Sequence, residues 1–316
     1  MAGTKDSNDL DEFLAAAQEV ALAAGALIRQ THDKRHESAL SVEVKGATKL
    51  SVDLVTATDK AAEELIIGTL RARFPTHAFV GEESYDSASA GEGPLPLGGG
   101  GAGEGAARGA AAAVAAAAAA AAGGAAAYTW IIDPLDGTTN FVHGWHAVTV
   151  SIGLARGAEL VLGVIYNPVL GDMCAAAKGR GTTLNGAPVR VGASTGVGDA
   201  IVVNNFGPSR DAATNALHCR RIEALLNAQT RGVRNTGSAA QNMMDVACGK
   251  LDAYFEDGFG GPWDVAAGYV AVTEAGGVCS AVSGAPFELL AGKGNVICGN
   301  AAVVADVARV LATVKE

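Results

Sequence analysis

The sequence predicts an α/β or a layered α+β architecture, and three observations support this prediction. An apolar stripe with helical spacing over residues 10–30 predicts a long first helix. Two apolar runs, residues 147–155 and 160–166, predict a pair of adjacent strands. Beyond Gly196, strand patterns and helix patterns alternate along the chain. Alternation of this kind is typical of helices packed in layers against sheets.

The segment between the first helix and residue 84 predicts short strands around a second helix. In chain order we predict a charged loop or hairpin (32–51), a short strand (53–56), a helix from an N-cap at Thr58 to about Phe74, and a strand (78–80). The last strand leads directly into Gly81-Glu82-Glu83-Ser84.

Residues 87–127 consist almost entirely of glycine and alanine. The composition predicts a solvated low-complexity insert. The alternative is an alanine helix over residues 106–122, because alanine is the best helix former. The insert joins Glu82 to Asp133, which we predict to lie in one site, so its two ends should lie near each other.

The second half of the chain contains the alternating elements. Asn185-Gly186 predicts a type I′ turn between paired strands. The other predicted strands span residues 200–205, 251–255, 277–281 and 295–298. The predicted helices span residues 211–227, 238–248, 264–275 and 302–314.

Composition limits the possible partners of this 316-residue chain. Its net charge of −10 argues against nucleic acid or an anionic membrane as a partner. An anionic substrate stays possible, because bound cations can invert the local field. The acidic N-terminus has no basic region and no apolar signal run, and the five cysteines are scattered. We therefore expect a cytoplasmic protein in a reducing compartment.

The run Trp130 to Phe141 contains the strongest signal for chemistry. An apolar strand ends in two carboxylates, Asp133 and Asp136, and a Gly-Thr-Thr turn follows at once. Pro134 blocks helical continuation through the first acid, so both acids should project from the strand end. Two carboxylates suit Mg²⁺, and the N–H groups of a turn suit a phosphate. A metal beside a phosphate indicates phosphoryl chemistry.

Three segments of the chain resemble the signature segments of the inositol monophosphatase family, in the same order. They are Gly81-Glu82-Glu83-Ser84, Asp133-Pro134-Leu135-Asp136-Gly137-Thr138-Thr139-Asn140-Phe141 and Trp263-Asp264-Val265-Ala266-Ala267-Gly268. The first helix and residues 53–59 and 273–277 also look like that family. Residues 259–264 resemble plant members, which act on inositol phosphates and on L-galactose 1-phosphate.

The resemblance implies a fold and an organisation. The fold is an α+β, layered α/β/α/β/α sandwich of the inositol monophosphatase and fructose-1,6-bisphosphatase type. It forms one phosphatase domain over residues 1–316, with a subdomain boundary after about residue 195. Residues 1–195 would contain most metal ligands, and residues 196–316 would contain Asp264 and the polyol contacts. Family members are commonly homodimers, and the sequence itself shows no dimer surface.

The resemblance also implies roles for individual residues. Mg²⁺ ions would be held by Glu82, Asp133, the carbonyl of Leu135, Asp136 and Asp264. Catalysis would involve Glu82, Thr138 and Asp59, with Thr138 hydrogen-bonded to Asp59 and helping Glu82 to activate a metal-bound water. Substrate would be contacted by Asp136, Gly137, Thr138, Ser238, Ala239, Glu256 and Asp264. A family lysine would correspond to Lys45 or Lys49, and inhibition by Li⁺ is implied.

Together these observations predict a Mg²⁺-dependent phosphomonoesterase for myo-inositol monophosphate, L-galactose 1-phosphate or both. No serine or cysteine nucleophile elbow is present, which favours direct attack by water. The enzymatic alternatives are histidinol-phosphate, fructose 1,6-bisphosphate or 3′-phosphoadenosine 5′-phosphate phosphatase. A catalytically inactive metal-binding regulatory protein is the alternative from another class.

Several of these residues also have simpler interpretations. Asp136 beside glycine fits an ordinary turn. Asp264 fits an N-cap and Asp59 a helix start, with or without a role in the site. His143 and His146 flank Trp145 after the motif, and we predict a structural role for both.

Overall fold

The computed structural model describes residues 2–34, 42–44, 54–84, 128–287, 289 and 294–314. The helices in these ranges are α1 (Ala2–Lys34), α2 (Ala57–Arg73), α3 (Thr138–His143), α4 (Ala212–Asn227), α5 (Ala239–Ala247), α6 (Pro262–Glu274) and α7 (Ala301–Leu311). The strands are β1 (Val42–Val44), β2 (Leu54–Thr56), β3 (Ala78–Gly81), β4 (Tyr128–Asp136), β5 (Thr149–Arg156), β6 (Glu159–Asn167), β7 (Asp172–Ala177), β8 (Gly181–Leu184), β9 (Ala187–Val189), β10 (Ile201–Asn204), β11 (Gly232–Arg234), β12 (Ala253–Asp257), β13 (Val278–Ser280) and β14 (Asn295–Gly299).

Two sheets organise the described chain. The first has the order β3-β4-β5-β6-β7-β8-β9, and only its first pair is parallel. The second has the order β11-β10-β12-β14-β13, with β11, β10 and β12 parallel and the others antiparallel. Strands β1 and β2 form a separate antiparallel pair.

Helices cover the sheets in three layers. Helices α1 and α2 pack on the outer face of the first sheet, and α5 and α6 lie between the two sheets. Helices α4 and α7 cover the outer face of the second sheet. The layers therefore alternate as α/β/α/β/α, and the predicted α+β layered sandwich is confirmed. None of the helices described here is long and apolar enough to span a membrane.

Helix α6 lies unusually close to the first sheet because two paired glycines face it. Gly153 on β5 and Gly163 on β6 are in register. A Cβ atom on Gly163 would lie 2.3 Å from the carbonyl oxygen of Ala267, and one on Gly153 would lie 2.8 Å from Cβ of Ala266. This contact sets the distance between the first turn of α6 and the first sheet.

The close contact gives a testable stability difference. Gly163→Ala should lower the free energy of unfolding by about 1–3 kcal/mol, because the added methyl group overpacks the sheet against α6. Gly68→Ala is the matched control, because Gly68 is exposed on α2 and a Cβ there meets nothing within 4 Å. The control should be neutral or raise stability by up to about 1 kcal/mol. Urea denaturation measures both; equal effects of the two substitutions would contradict the proposed packing.

Most predicted elements are confirmed with small shifts in their ends. The Asn185-Gly186 turn joins β8 to β9, and both residues have positive φ (50° and 81°), as a type I′ turn requires. The predicted N-cap at Thr58 is wrong. Thr56 is the N-cap, because its extended backbone lets its hydroxyl accept from the N–H of Thr58, and the N–H of Thr56 donates to Asp59.

Other boundaries also move. The strand predicted over residues 251–255 is β12, which starts at Ala253 and ends at Asp257. Asp252 lies outside it, where its carboxylate accepts from the N–H of Ile201 at 2.7 Å. Strands β7 and β11 were not predicted. The insert at 87–127 lies outside the described residues. The subdomain boundary after about residue 195 stays a prediction.

Candidate active site

The parallel pairing of β3 with β4 brings two acids, Glu82 and Asp133, to one edge of the first sheet. Gly81 is in register with Ile132, so Glu82 and Asp133 occupy the next positions at the same edge of the sheet. The pairing of β4 with β5 shifts between Asp133 and Asp136, where Pro134 has no N–H to donate. This irregularity lets both acids leave the strand end.

Asp133 is buried, and it lies below the start of α6. Its Oδ1 accepts from the backbone N–H of Leu135 at 3.0 Å. Ser151, its partner on β5, donates its hydroxyl to the carbonyl of Trp263 at 3.1 Å. The residue after Trp263 is Asp264, so this bond brings the third signature segment over the end of β4.

Asp136 is held by the N-terminus of α5. Its Oδ2 accepts from the hydroxyl of Ser238 at 2.5 Å and from the N–H of Ala240 at 2.7 Å, and its Oδ1 accepts from the N–H of Ala239 at 3.3 Å. A helix N-terminus stabilises a carboxylate. Burial nevertheless raises the pKa of Asp136 to about 6, and the charge of Glu82 contributes to the rise.

Asp264 occupies the third position of α6, after Pro262 at the first. The N-cap is therefore Gly261, not Asp264, although the Asp264 carboxylate still caps the helix. It accepts from the N–H groups of Gly260 at 2.6 Å and Gly261 at 3.4 Å. Burial raises the pKa of Asp264 well above its usual value, and the charges of Glu82, Asp136 and Glu256 raise it further.

Asp59 and Thr138 are in direct contact, although 79 residues separate them. Thr138 donates its hydroxyl to Asp59 Oδ1 at 3.1 Å and lies 3.3 Å from the carbonyl oxygen of Leu135. Asp59 also accepts from Thr56, so it serves the helix start and the site together. The resemblance implied this pair, and the geometry agrees with it.

Gly137 forms the turn between β4 and α3. Its φ of 91° lies in the left-handed region, which glycine adopts at least cost. A Cβ there would lie 2.6 Å from the carbonyl oxygen of Ala147 and 3.3 Å from Cβ of Ser238. The turn therefore packs against the loop that contains Ser238. The first N–H groups of α3 follow this glycine and have no carbonyl partner within the helix.

Glu256 lies on β12 and is buried beside two polar side chains. It accepts from the hydroxyl of Tyr254, and its Oε2 accepts from Asn205 Nδ2 at 3.1 Å. Burial raises the pKa of Glu256 to about 7, and the charge of Asp136 adds to the rise. Glu256 is therefore electrostatically part of the same cluster as Asp136 and Asp264.

The structure connects the predicted site residues through three groups. These are Asp59 with Thr138, Asp136 with Ser238 and Ala239, and the mutually repelling acids Glu82, Asp136, Asp264 and Glu256. Asp133, Leu135 and Gly137 belong to the same strand end and turn. Lys45 and Lys49 lie outside the described residues. Among the flanking histidines, His146 stacks on Trp145 with ring centroids 5.0 Å apart.

Three supporting residues were not predicted. Asn205 Oδ1 accepts from the N–H of Gly237 at 3.0 Å while its amide donates to Glu256, so it ties the two substrate segments together. Asn140 donates to the carbonyls of Ala147 and Thr236. Glu63 accepts from the backbone after Glu82. Only Asn205 had a usable signal, as a polar residue at the end of a predicted strand.

The donor atoms of the cluster fit a hard divalent cation. They are carboxylate and carbonyl oxygens, which Mg²⁺ prefers. Burial raises the pKa of Asp136 and Asp264, the charge of Glu82 raises it further, and a cation between these acids would remove that repulsion. Within the ranges described, no three Asp, Glu, His or Cys side chains converge on one point. The carboxylates of Asp133, Asp136 and Asp264 turn instead toward nearby backbone N–H groups.

Comparison with known proteins identifies the family. The family model described as the inositol monophosphatase family matches residues 9–315. The chain belongs to the inositol monophosphatase family. Inositol monophosphatase 2 of Solanum lycopersicum is 40% identical over 282 residues, covering 89% of this chain and 92% of that protein. Inositol monophosphatase 2 of Homo sapiens is 39% identical over 282 residues, covering 89% and 84%.

Solved structures agree with the inositol monophosphatase fold. The inositol monophosphatase from Anabaena has a TM-score of 0.72 and 31% identity, covering 97% of this chain and 98% of that one. The extragenic suppressor protein suhB from Bartonella henselae has a TM-score of 0.75 and 27% identity, covering 95% and 98%. As a member of the inositol monophosphatase family, the chain is a phosphatase that hydrolyses phosphate monoesters.

Proposed function

We propose that the chain is a Mg²⁺-dependent phosphomonoesterase that hydrolyses myo-inositol monophosphate, L-galactose 1-phosphate or both by direct attack of water. The observation that carries the proposal is the cluster of Glu82, Asp136, Asp264 and Glu256. Burial raises the pKa of Asp136, Asp264 and Glu256, and the charge of Glu82 adds to the rise at Asp136 and Asp264. Several acids whose charges interact in this way favour a site for cations over a site for an anion alone.

In this proposal, different residues bind the metal and the phosphate. Glu82, Asp133, Asp136, Asp264 and the carbonyl of Leu135 would hold Mg²⁺. When bound, Mg²⁺ supplies charge neutralisation at the phosphate and the leaving alkoxide and lowers the pKa of water. Gly137 and Thr138 would hold the phosphate through backbone N–H groups.

The Thr138 hydroxyl would donate its proton to Asp59, and a lone pair of the same oxygen would then orient the attacking water. Glu82 would accept the proton from that water. Proton removal by a positioned carboxylate contributes on the order of 10²–10⁴ in rate. No covalent intermediate with the protein is needed in this scheme.

The polyol would lie between α5 and β12. Ser238, Ala239 and Asp136 form one side, and Glu256 forms the other. Asn205 connects the two sides, because it contacts both Glu256 and the N–H of Gly237. A polyol offers several adjacent hydroxyls to these acceptors, whereas an aryl phosphate offers none. Discrimination between substrates would therefore depend on Glu256 and not on the groups that hold the phosphate.

The test is a comparison of kcat/KM over inositol, L-galactose, histidinol, nucleotide and aryl phosphates with Mg²⁺ present, for the native chain and for Glu256→Gln. The native chain should prefer inositol or galactose phosphate. Glu256→Gln should lower kcat/KM for that substrate. The ratio of the native and variant values should correspond to about 1.5–3 kcal/mol, the scale of a hydrogen bond to a charged group. The aryl phosphate should lose much less.

Three outcomes would count against this scheme. A native preference for histidinol phosphate or a nucleotide would transfer the assignment to another phosphatase of the superfamily. An equal loss for polyol and aryl phosphates in Glu256→Gln would place Glu256 in the metal or folding network instead of the polyol pocket. No phosphate release from any of these substrates would favour an inactive metal-binding protein.

A further inference from the structure

Helix α2 presents two buried acids to the site, one turn apart. Asp59 and Glu63 are four residues apart, so their side chains project from the same face of the helix. They are 1% and 4% exposed. Asp59 contacts Thr138 at the end of β4. Glu63 reaches the neighbouring strand, and the family roles described above do not include it.

The carboxylate of Glu63 binds the backbone directly after Glu82. Its Oε2 accepts from the N–H of Glu83 at 2.9 Å, and its Oε1 accepts from the N–H of Ser84 at 2.7 Å. Residues 82–84 are helical. The first N–H groups of a helical turn have no carbonyl partner within the turn, so a carboxylate from another helix supplies one. Both oxygens are used, which fixes the carboxylate plane.

Gly81 provides the space for this carboxylate on the other side of Glu82. A Cβ atom on Gly81 would lie 2.4 Å from Glu63 Oε2. Gly81 is the last residue of β3 and pairs with Ile132, directly before Asp133. Glu63 therefore packs against residue 81 and binds residues 83 and 84, so that it restrains the backbone on both sides of Glu82.

We propose that Glu63 is a positioning residue that orients Glu82 toward the divalent cation. In the contacts described above, Glu63 binds no carboxylate of a proposed metal ligand. It acts through the backbone of residues 81–84. The inference rests on the proposed function, because it assumes that Glu82 is a metal ligand. Residues that orient metal ligands typically change metal affinity by ten- to hundredfold when they are replaced.

The experiment measures Mg²⁺ binding to the full chain by isothermal titration calorimetry without substrate, and turnover as a function of Mg²⁺ concentration. Glu63→Gln keeps the size of the side chain but places an amide NH₂ against a backbone N–H. It should raise the Kd for Mg²⁺ by ten- to hundredfold, while kcat at saturating Mg²⁺ stays within about threefold. Glu64→Gln is the matched control, because Glu64 is the exposed neighbour on α2. Its Kd should stay within about twofold.

The outcomes separate positioning from simple structural support. A lower Tm of the metal-free Glu63→Gln protein with an unchanged Kd would overturn the inference, and so would a loss of kcat that saturating Mg²⁺ does not restore. Glu63→Asp keeps the charge on a shorter arm, and it provides the same comparison if Glu63→Gln does not fold. A native chain that binds no Mg²⁺ overturns the proposed function, whereas equal Kd values for native and variant chains overturn only the role of Glu63.

Discussion

Asp133→Asn should lower kcat by at least about 100-fold while the chain stays folded. Asp133 is one of the residues that we propose to hold Mg²⁺, and metal-based charge stabilisation contributes several kcal/mol to such a reaction. Each 1.36 kcal/mol corresponds to a factor of ten in rate. Asparagine has nearly the same shape, and its carbonyl oxygen can still accept from the N–H of Leu135. A phosphate-release assay at a series of Mg²⁺ concentrations measures the effect.

Asp172→Asn is the matched control for this substitution. Asp172 lies at the start of β7, where it forms an ion pair with Lys250 at 2.9 Å, outside the candidate site. An ion pair of this exposed kind contributes little to stability, so kcat should stay within about twofold. Asp133→Asn with native kcat and ordinary Mg²⁺ dependence would refute the metal assignment.

Thr138→Ala should lower kcat by about 10²–10³-fold, the range expected when a group that orients a proton transfer is lost. In the structure the Thr138 hydroxyl donates to Asp59, and the alanine has no oxygen to orient water. Thr138→Ser keeps the hydroxyl and should retain most of the activity. Mg²⁺ affinity should change little in either variant, because Thr138 is not a proposed metal ligand.

The serine variant distinguishes the role of the hydroxyl from that of the methyl group. If Thr138→Ser loses as much activity as Thr138→Ala, the packing of α3 and not the hydroxyl controls turnover. If Thr138→Ala retains native kcat, the Asp59–Thr138 pair is structural and the proposed orientation of water is wrong. Steady-state kinetics at saturating Mg²⁺ and circular dichroism on each variant provide the comparison.

The local sequence predicted those features whose cause is local. An apolar run followed by Asp133-Pro134-Leu135-Asp136-Gly137 predicted a strand that ends in acids, because proline and glycine restrict the backbone within a few residues. The Asn185-Gly186 turn followed from the same kind of restriction. The wrong N-cap at Thr58 shows the limit of such arguments. Threonines stand at 56 and 58, and threonine at either position can cap a helix, but the hydrogen bonds of Thr56 with Thr58 and Asp59 make Thr56 the N-cap.

The supports of the site could not be predicted, because they join distant parts of the chain. Glu63 resembles any polar residue on a surface helix, and only the packing of α2 against β3 buries it against residues 83 and 84. Glu256 could be placed after an apolar strand, but its link to Ser238 passes through Asn205 and Gly237. A polar side chain has several possible hydrogen-bond partners. The fold determines which of them lie within hydrogen-bond distance.

By itself, the sequence determined the order of the main helices and strands, the acids at the end of β4 and the resemblance to a phosphatase family. These follow from short-range periodicity, turn chemistry and motif spacing, which the chain contains regardless of how its layers pack. Only the tertiary structure decided that the N-terminus of α5 binds Asp136, that burial and nearby acids raise the pKa of Asp264, and that Glu63 of α2 binds the backbone after Glu82. Burial and charge interactions act through space, so they exist only after the sheets and helices have packed together.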